Sequence, residues 1–510
     1  MLNKFYPYAK FLLAGLLSGF SISFPFLLPL FFFGNYLFIT GIISRKFSFN
    51  NFFPGWLFGF GFFLSSMHWI INPFLIYERH FILAPFILLI FPLCLGLFNS
   101  LASVLITKFV ELYKINSSFL VTKCFMISFF LFLTEYLRSS IFGGLPFNLY
   151  AHLWIFDERF IKIVSFIGVF GLSFLTIFWI TFTNILIYRR NSLFFLSLFF
   201  FPIFLVLISI MSNRDMQGNK SEKILVRVVQ PNIKQEEKWN KIYFQDHLDK
   251  LIKLSTSKTN KQELIVIWPE AALTVYLNEQ RDLLNYLSKN IKQNITIITG
   301  GLRRDLKDKE VKVFNSMYLI QKNKITFYDK KHLVPFGEFI PFRSFLRVFK
   351  LTHGETDFSV GKGKNQLSME YYQKKIVIEP SICYEAIFQT FNSERIDLFV
   401  NITNDAWFGS STGPQQHLTA SIFRSVEKGV PLIRSANSGI SVITDSNGKI
   451  LKKLDLNTSG YLESKLTIGN NSTFFTKYKK PILPILILII FFLNLIIDFF
   501  IKKRKSLKII

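Results

Sequence analysis

The sequence predicts a polytopic α-helical membrane protein of about eight transmembrane helices, with an α/β domain inserted before the last of them. Three observations carry that prediction. Half of the 510 residues are hydrophobic and only 18% are charged, against about a quarter in ordinary soluble domains. Apolar runs close to the roughly 20 residues that cross a bilayer recur along the first part of the chain. A long polar stretch then follows, in which short β-branched runs alternate with amphipathic ones.

Seven apolar runs fall at 9–24, 25–43, 52–73, 82–106, 119–137, 161–187 and 192–211, and an eighth at 481–501. The first has no small-residue cleavage site and is followed by further spans, so it reads as an anchor and not as a removed signal peptide. Residues 1–211 form the expected N-terminal membrane domain, 222–470 the polar domain and 481–501 the last span. Basic residues cluster in alternate loops: Lys4 and Lys10, Arg45 and Lys46, Lys108 and Lys114, Arg189 and Arg190, then the tail from Lys502 to Lys508. By the positive-inside rule both termini lie in the cytoplasm, which puts the polar domain on the far side of the membrane. In a Gram-negative cell that side is the periplasm.

The net charge of +26 brings nucleic acid to mind, but the basic residues flank apolar runs or scatter over the polar stretch. No nucleic-acid partner is expected; attraction to anionic lipid headgroups fits better. Cys94 and Cys124 lie in apolar runs and Cys383 stands alone in the polar stretch, so no disulfide is expected there. No CxxC or HExxH pattern points to a metal, and none is expected.

Within the polar domain, buried strands are expected at Ile224 to Val229, Leu264 to Ile267, Ile295 to Thr299, Ile376 to Ile378, Leu398 to Ile402 and Leu432 to Arg434. Helices are expected near 240–256, 278–291 and 415–428. Three strand ends carry reactive groups. Ile267 runs through Trp268 and Pro269 to Glu270, and a proline there stops the ladder with a carboxylate at its mouth. Taken alone, Glu270 also suits a helix first turn. Tyr328 leads through Asp329 to Lys330, Lys331 and His332, after which Pro335 and Gly337 impose an irregular backbone before Glu338. Paired lysines commonly mark a solvated loop, and His332 reads as a structural hydrogen-bonder. Cys383 follows Ile376 to Ile378 at a strand-to-helix turn, where a helix N-terminus would lower the thiol pKa; a small buried residue is the plainer reading.

Together, an acid, an amine and a thiol at three strand ends resemble the Glu-Lys-Cys signature of the nitrilase superfamily. The carriers are Trp268-Pro269-Glu270, the run from Lys330 to Glu338, and Cys383-Tyr384-Glu385. Asn401 to Gly409, Gly413 to His417, Arg424 to Glu427, Arg434 to Gly439 and Gln230 to Trp239 resemble the apolipoprotein N-acyltransferases within it. So do Glu135 to Arg138 and Gly144-Leu145-Pro146 in the membrane part, although Leu145 and Phe147 depart from the Phe and Trp common there. The resemblance implies an αββα sandwich for the inserted domain. It implies Cys383 as nucleophile, Glu270 as general base and Lys330 as stabiliser of developing charge. Glu338 matches a second active-site carboxylate, Tyr384 and Glu385 flank the nucleophile, and Trp239 and Asn315 match positions of the substrate cleft.

The implied reaction is lipoprotein maturation at the bacterial inner membrane. An acyl chain passes from a membrane phospholipid, through a thioester on Cys383, to the N-terminal amine of the S-diacylglyceryl-cysteine of an apolipoprotein. A thioester divides a slow ester aminolysis into two easier steps. A monomer without a cofactor suffices for that chemistry. Phe336, Phe339, Phe342, Phe345 and Phe349, beside Arg343, Arg347 and Lys350, suit an interfacial arm with rings in lipid and cations near phosphate; a helix on the domain core is the alternative. Two rivals remain: a membrane-tethered amidase that releases its acyl group to water, and a transporter or receptor whose domain only binds ligand. The second predicts ionisable residues inside several spans, whereas here they sit mostly at span ends.

Overall fold

The computed structural model describes residues 2–112, 120–212, 222–257, 262–306, 311–322, 324–341, 356–363, 365–390, 395–469 and 472–506. The expected arm cations and rings from Phe342 to Lys350 lie outside these residues. Two compact units emerge, one of residues 1–71, 83–215 and 477–510, the other of 72–82 and 216–476.

The first unit is helical. Its helices run Leu2–Ser23, Leu28–Ile43, Phe52–Met67, Ala84–Leu112, Leu120–Ser140, Val164–Tyr188 and Leu193–Ser212, and most of Phe474–Ser506 belongs to it. Among the described residues six helices are long and apolar enough to cross a membrane, and Tyr8–Ser23 is a shorter apolar one. Small residues bring the first helices together: a Cβ on Gly15 would lie 2.0 Å from the Phe58 carbonyl oxygen. Such close backbone approach is how helices associate where solvent gives no hydrophobic drive. Glu135, buried on Leu120–Ser140, accepts from the Tyr150 N–H at 3.0 Å and from Ser173. An intramembrane carboxylate is thereby satisfied inside the unit.

Among the described residues the second unit holds thirteen strands: β1 Glu222–Gln230, β2 Leu264–Ile267, β3 Leu273–Tyr276, β4 Ile295–Asp305, β5 Lys312–Gln321, β6 Lys324–Asp329, β7 Leu367–Tyr371, β8 Lys374–Ile382, β9 Leu398–Thr403, β10 Leu432–Ala436, β11 Ser441–Thr444, β12 Ile450–Leu454 and β13 Gly460–Ile468. One sheet has the order β13-β1-β2-β4-β5-β6, with β3 also on β4; the other runs β12-β11-β10-β9-β8-β7. In each, a parallel centre (β1-β2-β4 or β8-β9-β10) is flanked by antiparallel strands. Glu222 at the start of β1 pairs with Ile468 at the end of β13.

The two sheets face each other across an apolar layer that includes Val226, Ile265 and Met317 from one and Ile378, Val400 and Ile433 from the other. Helices Phe244–Thr256 and Arg281–Asn290 cover the first sheet through Leu248, Leu251 and Leu287. Helix Gly413–Lys428 lies against β10 of the second. This is the αββα sandwich. Unbroken apolar strands are what make it possible: each strand must be apolar on both faces where a sheet has cover on both sides. β2 satisfies that outright; β9 and β10 are buried along their whole length, with Asn401 and Arg434 as polar exceptions that are hydrogen-bonded to each other.

Candidate active site

Glu270 stands beyond the end of β2. The Trp268 N–H donates to the Ile298 carbonyl at 2.8 Å, the last rung before Pro269 ends the ladder. The chain then turns sharply, with Ala271 at φ +45°. Gly300 on β4 makes room for that turn, since a Cβ there would lie 2.4 Å from the Ala271 nitrogen. Lys238 closes it from the other side, its Nζ donating to the Glu270 carbonyl at 2.9 Å.

Lys330 follows β6 and is 1% exposed. The solvated-loop reading of the lysine pair holds only for Lys331, whose Nζ reaches the Gly363 carbonyl at 2.8 Å. Lys330 instead turns inward, 2.9 Å from Glu338 Oε2 and 3.5 Å from Glu270 Oε1. Its backbone is pinned on both sides: its N–H donates to Asn315, and its carbonyl accepts from Gly361, each at 2.9 Å. Burial works against the Lys330 charge, but the Glu338 and Glu270 carboxylates outweigh it and hold the amine above its ordinary value.

Asn315, on β5, places one amide nitrogen 2.8 Å from Glu270 Oε1 and 2.8 Å from Glu338 Oε1. It joins the two carboxylates and fixes their spacing. The second Glu270 oxygen accepts from the Asn404 N–H at 2.9 Å, a donor just beyond the end of β9 in the other sheet. Glu338 Oε2 also accepts from the Val334 N–H at 2.9 Å, so the Pro335–Gly337 loop curls over its own carboxylate.

Cys383 follows β8 in a left-handed conformation, φ +51°, and is buried. A non-glycine residue there stores strain, on the order of 1–3 kcal/mol, and is a hallmark of a residue held for a purpose. The expectation of a thiol pKa lowered by a helix N-terminus is corrected. Cys383 opens only one short turn, Cys383–Ile387, and burial pushes the thiol up, with the Glu270 charge adding to the rise and Lys330 opposing it. A thiol in that state requires a base beside it. Glu385 faces away from this chemistry: it accepts from Tyr328 Oη at 2.8 Å, from the Lys331 N–H at 2.7 Å and from the Ile382 N–H at 2.8 Å. It fastens the Lys330 loop to the Cys383 turn. The Tyr384 ring packs edge-on against Phe388 at 5.0 Å, and His332 stacks on Phe388 at 4.7 Å. Trp239 caps the short helix Gln235–Lys238 and is half-buried.

Lys238 has no place in the sequence reading. It is 4% exposed, and burial lowers its amine to about 8 despite the Glu270 and Cys383 charges. Its signal was its position beside Trp239 in a conspicuous motif. His417, Asp405 and Arg434, which the sequence offers only as members of motifs, form a wholly buried group behind the Cys383 turn. Arg434 sits inside the apolar strand Leu432–Ala436, and a charge in such a run is itself a sign of a buried ion pair.

The arrangement thus offers a thiol, a carboxylate and an ammonium in one desolvated place, with the acids tied by Asn315. A family model for carbon-nitrogen hydrolases matches residues 225–470, the whole of this site included. A second, for the N-terminal domain of apolipoprotein N-acyltransferases, matches residues 14–182. An apolipoprotein N-acyltransferase from Rickettsia prowazekii is 36% identical over 508 residues, covering 96% of this chain and 98% of the relative. The chain belongs to the apolipoprotein N-acyltransferase family. Relatives of the same name from Brucella melitensis (30% identical, 81% of this chain and 79% of the relative) and Rhodopseudomonas palustris (28%, 87% and 85%) extend the match. The chain is therefore a multi-pass membrane acyltransferase with a nitrilase-like domain, as the motifs lead one to expect.

Proposed function

We propose that this acyltransferase moves an acyl chain from a membrane phospholipid to the N-terminal amine of an S-diacylglyceryl-cysteine apolipoprotein by way of a thioester on Cys383. The observation that carries the reading is the convergence of Glu270 and Lys330 on a buried thiol at a left-handed turn, in a chain rich in apolar helices. In the first half, Glu270 takes the thiol proton and the sulfur attacks the ester carbonyl. The ester C–O bond breaks, and Glu270 gives its proton to the departing lysophospholipid oxygen. In the second half the amine attacks the thioester, the C–S bond breaks, and the amine proton passes through Glu270 to the sulfur. Lys330 meets the negative oxygen of both tetrahedral intermediates, and Glu338 holds Lys330 in place. Asn315 orients the acids, Glu385 and Tyr384 set the turn around the nucleophile, and Trp239 lines the cleft for lipid. The domain over 222–470 faces the periplasm from the inner membrane, and the enzyme acts as a monomer.

Intact mass of the purified chain after incubation with phospholipid alone tests the proposal. An acyl adduct on the wild type, absent from Cys383→Ala and discharged by a diacylglyceryl-peptide amine to give N-acyl peptide, is expected. An adduct that only water discharges would make the protein a hydrolase. A wild-type chain that never acylates would remove the thioester.

A further inference from the structure

Behind the nucleophile lies a buried chain of contacts. His417 Nε2 is 3.0 Å from the carbonyl oxygen of Cys383, and its Nδ1 is 2.9 Å from Asp405 Oδ1. Asp405 Oδ2 accepts from an Arg434 guanidinium nitrogen at 2.7 Å, and that nitrogen also lies 3.1 Å from His417 Nδ1. Thr403 Oγ1 donates to Asp405 Oδ1 at 2.9 Å, and Arg434 donates further to Ser421 Oγ at 3.0 Å and to Asn401. His417, Asp405 and Arg434 are each no more than 1% exposed. They come from helix Gly413–Lys428, the turn after β9, and β10, so three elements of the second sheet layer fix one imidazole.

A carbonyl oxygen only accepts, so this contact needs a proton on Nε2. The hold matters because of what it does to the next bond. A trans peptide is planar, and its C=O and N–H point to opposite sides. Fixing the Cys383 carbonyl toward His417 therefore fixes the direction of the Tyr384 N–H. The left-handed Cys383 needs its peptide held, because its own backbone preference works against the observed conformation.

We propose that His417 is a positioning residue for acyl transfer: by gripping the Cys383 carbonyl it aims the Tyr384 N–H at the oxygen that becomes negative in the tetrahedral intermediate, opposite the Lys330 ammonium. This rests on the acyl-transfer reading, since only attack on an acyl carbonyl develops that charge. Asp405 and Arg434 act one step further back by fixing the imidazole. The proposal separates two reactions of the same thiol. Acylation passes through an oxyanion. Alkylation by iodoacetamide forms an S–C bond at a saturated carbon with loss of iodide, and makes none.

Full-length His417→Asn and His417→Gln, in lipid nanodiscs, distinguish the roles. Both amides are polar, but only Gln has the length to approach the Cys383 carbonyl. For His417→Asn, acyl-adduct formation should fall about 10²-fold, with iodoacetamide labelling of Cys383 within about twofold of wild type and little change in KM for phospholipid. His417→Gln should recover much of the acylation rate. Acylation at the wild-type rate in His417→Asn overturns the proposal, as does a parallel loss of acylation and alkylation. A wild type that alkylates normally but never acylates instead overturns the acyl-transfer reading, and this inference with it.

Discussion

Burial leaves the Cys383 thiol protonated at rest, so in the proposed reaction the proton transfer to Glu270 and the charge of Lys330 have to act together. Asn315 is what lets two carboxylates sit around one ammonium without drifting apart, as its amide nitrogen serves both. Motif spacing makes Glu270, Lys330 and Cys383 legible, because each stands at a strand end with a distinctive neighbour. The residues that hold them are not legible: the sequence points Asn315 to the substrate cleft and assigns Lys238, His417 and Asp405 no role. Such roles depend on contacts between residues distant in sequence, such as Asn404 with Glu270. Asp405 yields a prediction at this scale. Burial opposes its charge, but Arg434 and His417 outweigh burial and hold the carboxyl down to about 2. The folded protein then binds fewer protons than the unfolded chain between roughly pH 4 and pH 2. Its contribution, on the order of 2 kcal/mol, is present above about pH 4 and is lost as pH falls through 2. Thermal unfolding of the wild type should therefore weaken more steeply over that window than that of Asp405→Asn; equal slopes would place the acid sensitivity elsewhere.

At the scale of elements, the turn from β2 into Glu270 depends on a missing side chain. A Cβ on Gly300 would also lie 2.7 Å from the Glu270 Cα, so Gly300→Ala must push the carboxylate out of register. Misplacing a catalytic group by about 1 Å can cost 10²-fold in rate. Gly300→Ala should slow adduct formation on that order and lower the unfolding temperature, since the overpacked turn costs about 1–3 kcal/mol, while the protein still inserts. A normal acylation rate would show that the turn relaxes harmlessly. β2 is readable as an unbroken apolar run because both its faces are covered, and β9 and β10 are readable from apolar runs that only Asn401 and Arg434 interrupt before their ends. The strands flanking the second sheet are not. In β7 buried and exposed positions alternate over only five residues, and most of β12 is exposed, so neither is an apolar run. Their place comes from pairing with neighbours, which local composition does not encode.

Over the whole molecule, charge sets orientation where apolarity sets only depth. The basic loops predict that the β12 hairpin is reached from the periplasmic side of the membrane and the Arg190 loop from the cytoplasm. With Cys94, Cys124 and Cys383 replaced by Ser, a membrane-impermeant maleimide should label Lys452→Cys in intact spheroplasts. It should label Arg190→Cys only after permeabilisation. The reverse pattern would invert the topology. The pairing of β1 with β13 has its own consequence for biosynthesis. Glu222 pairs with Ile468, so the first sheet is finished only after nearly the whole domain has been made. Closing so long a loop is slow and is rewarded only at the end. A nascent or prematurely ended chain thus has its cysteine without a completed sheet around its acid. In the proposed reaction, assembly order itself would then keep an unfinished copy from loading acyl groups onto itself.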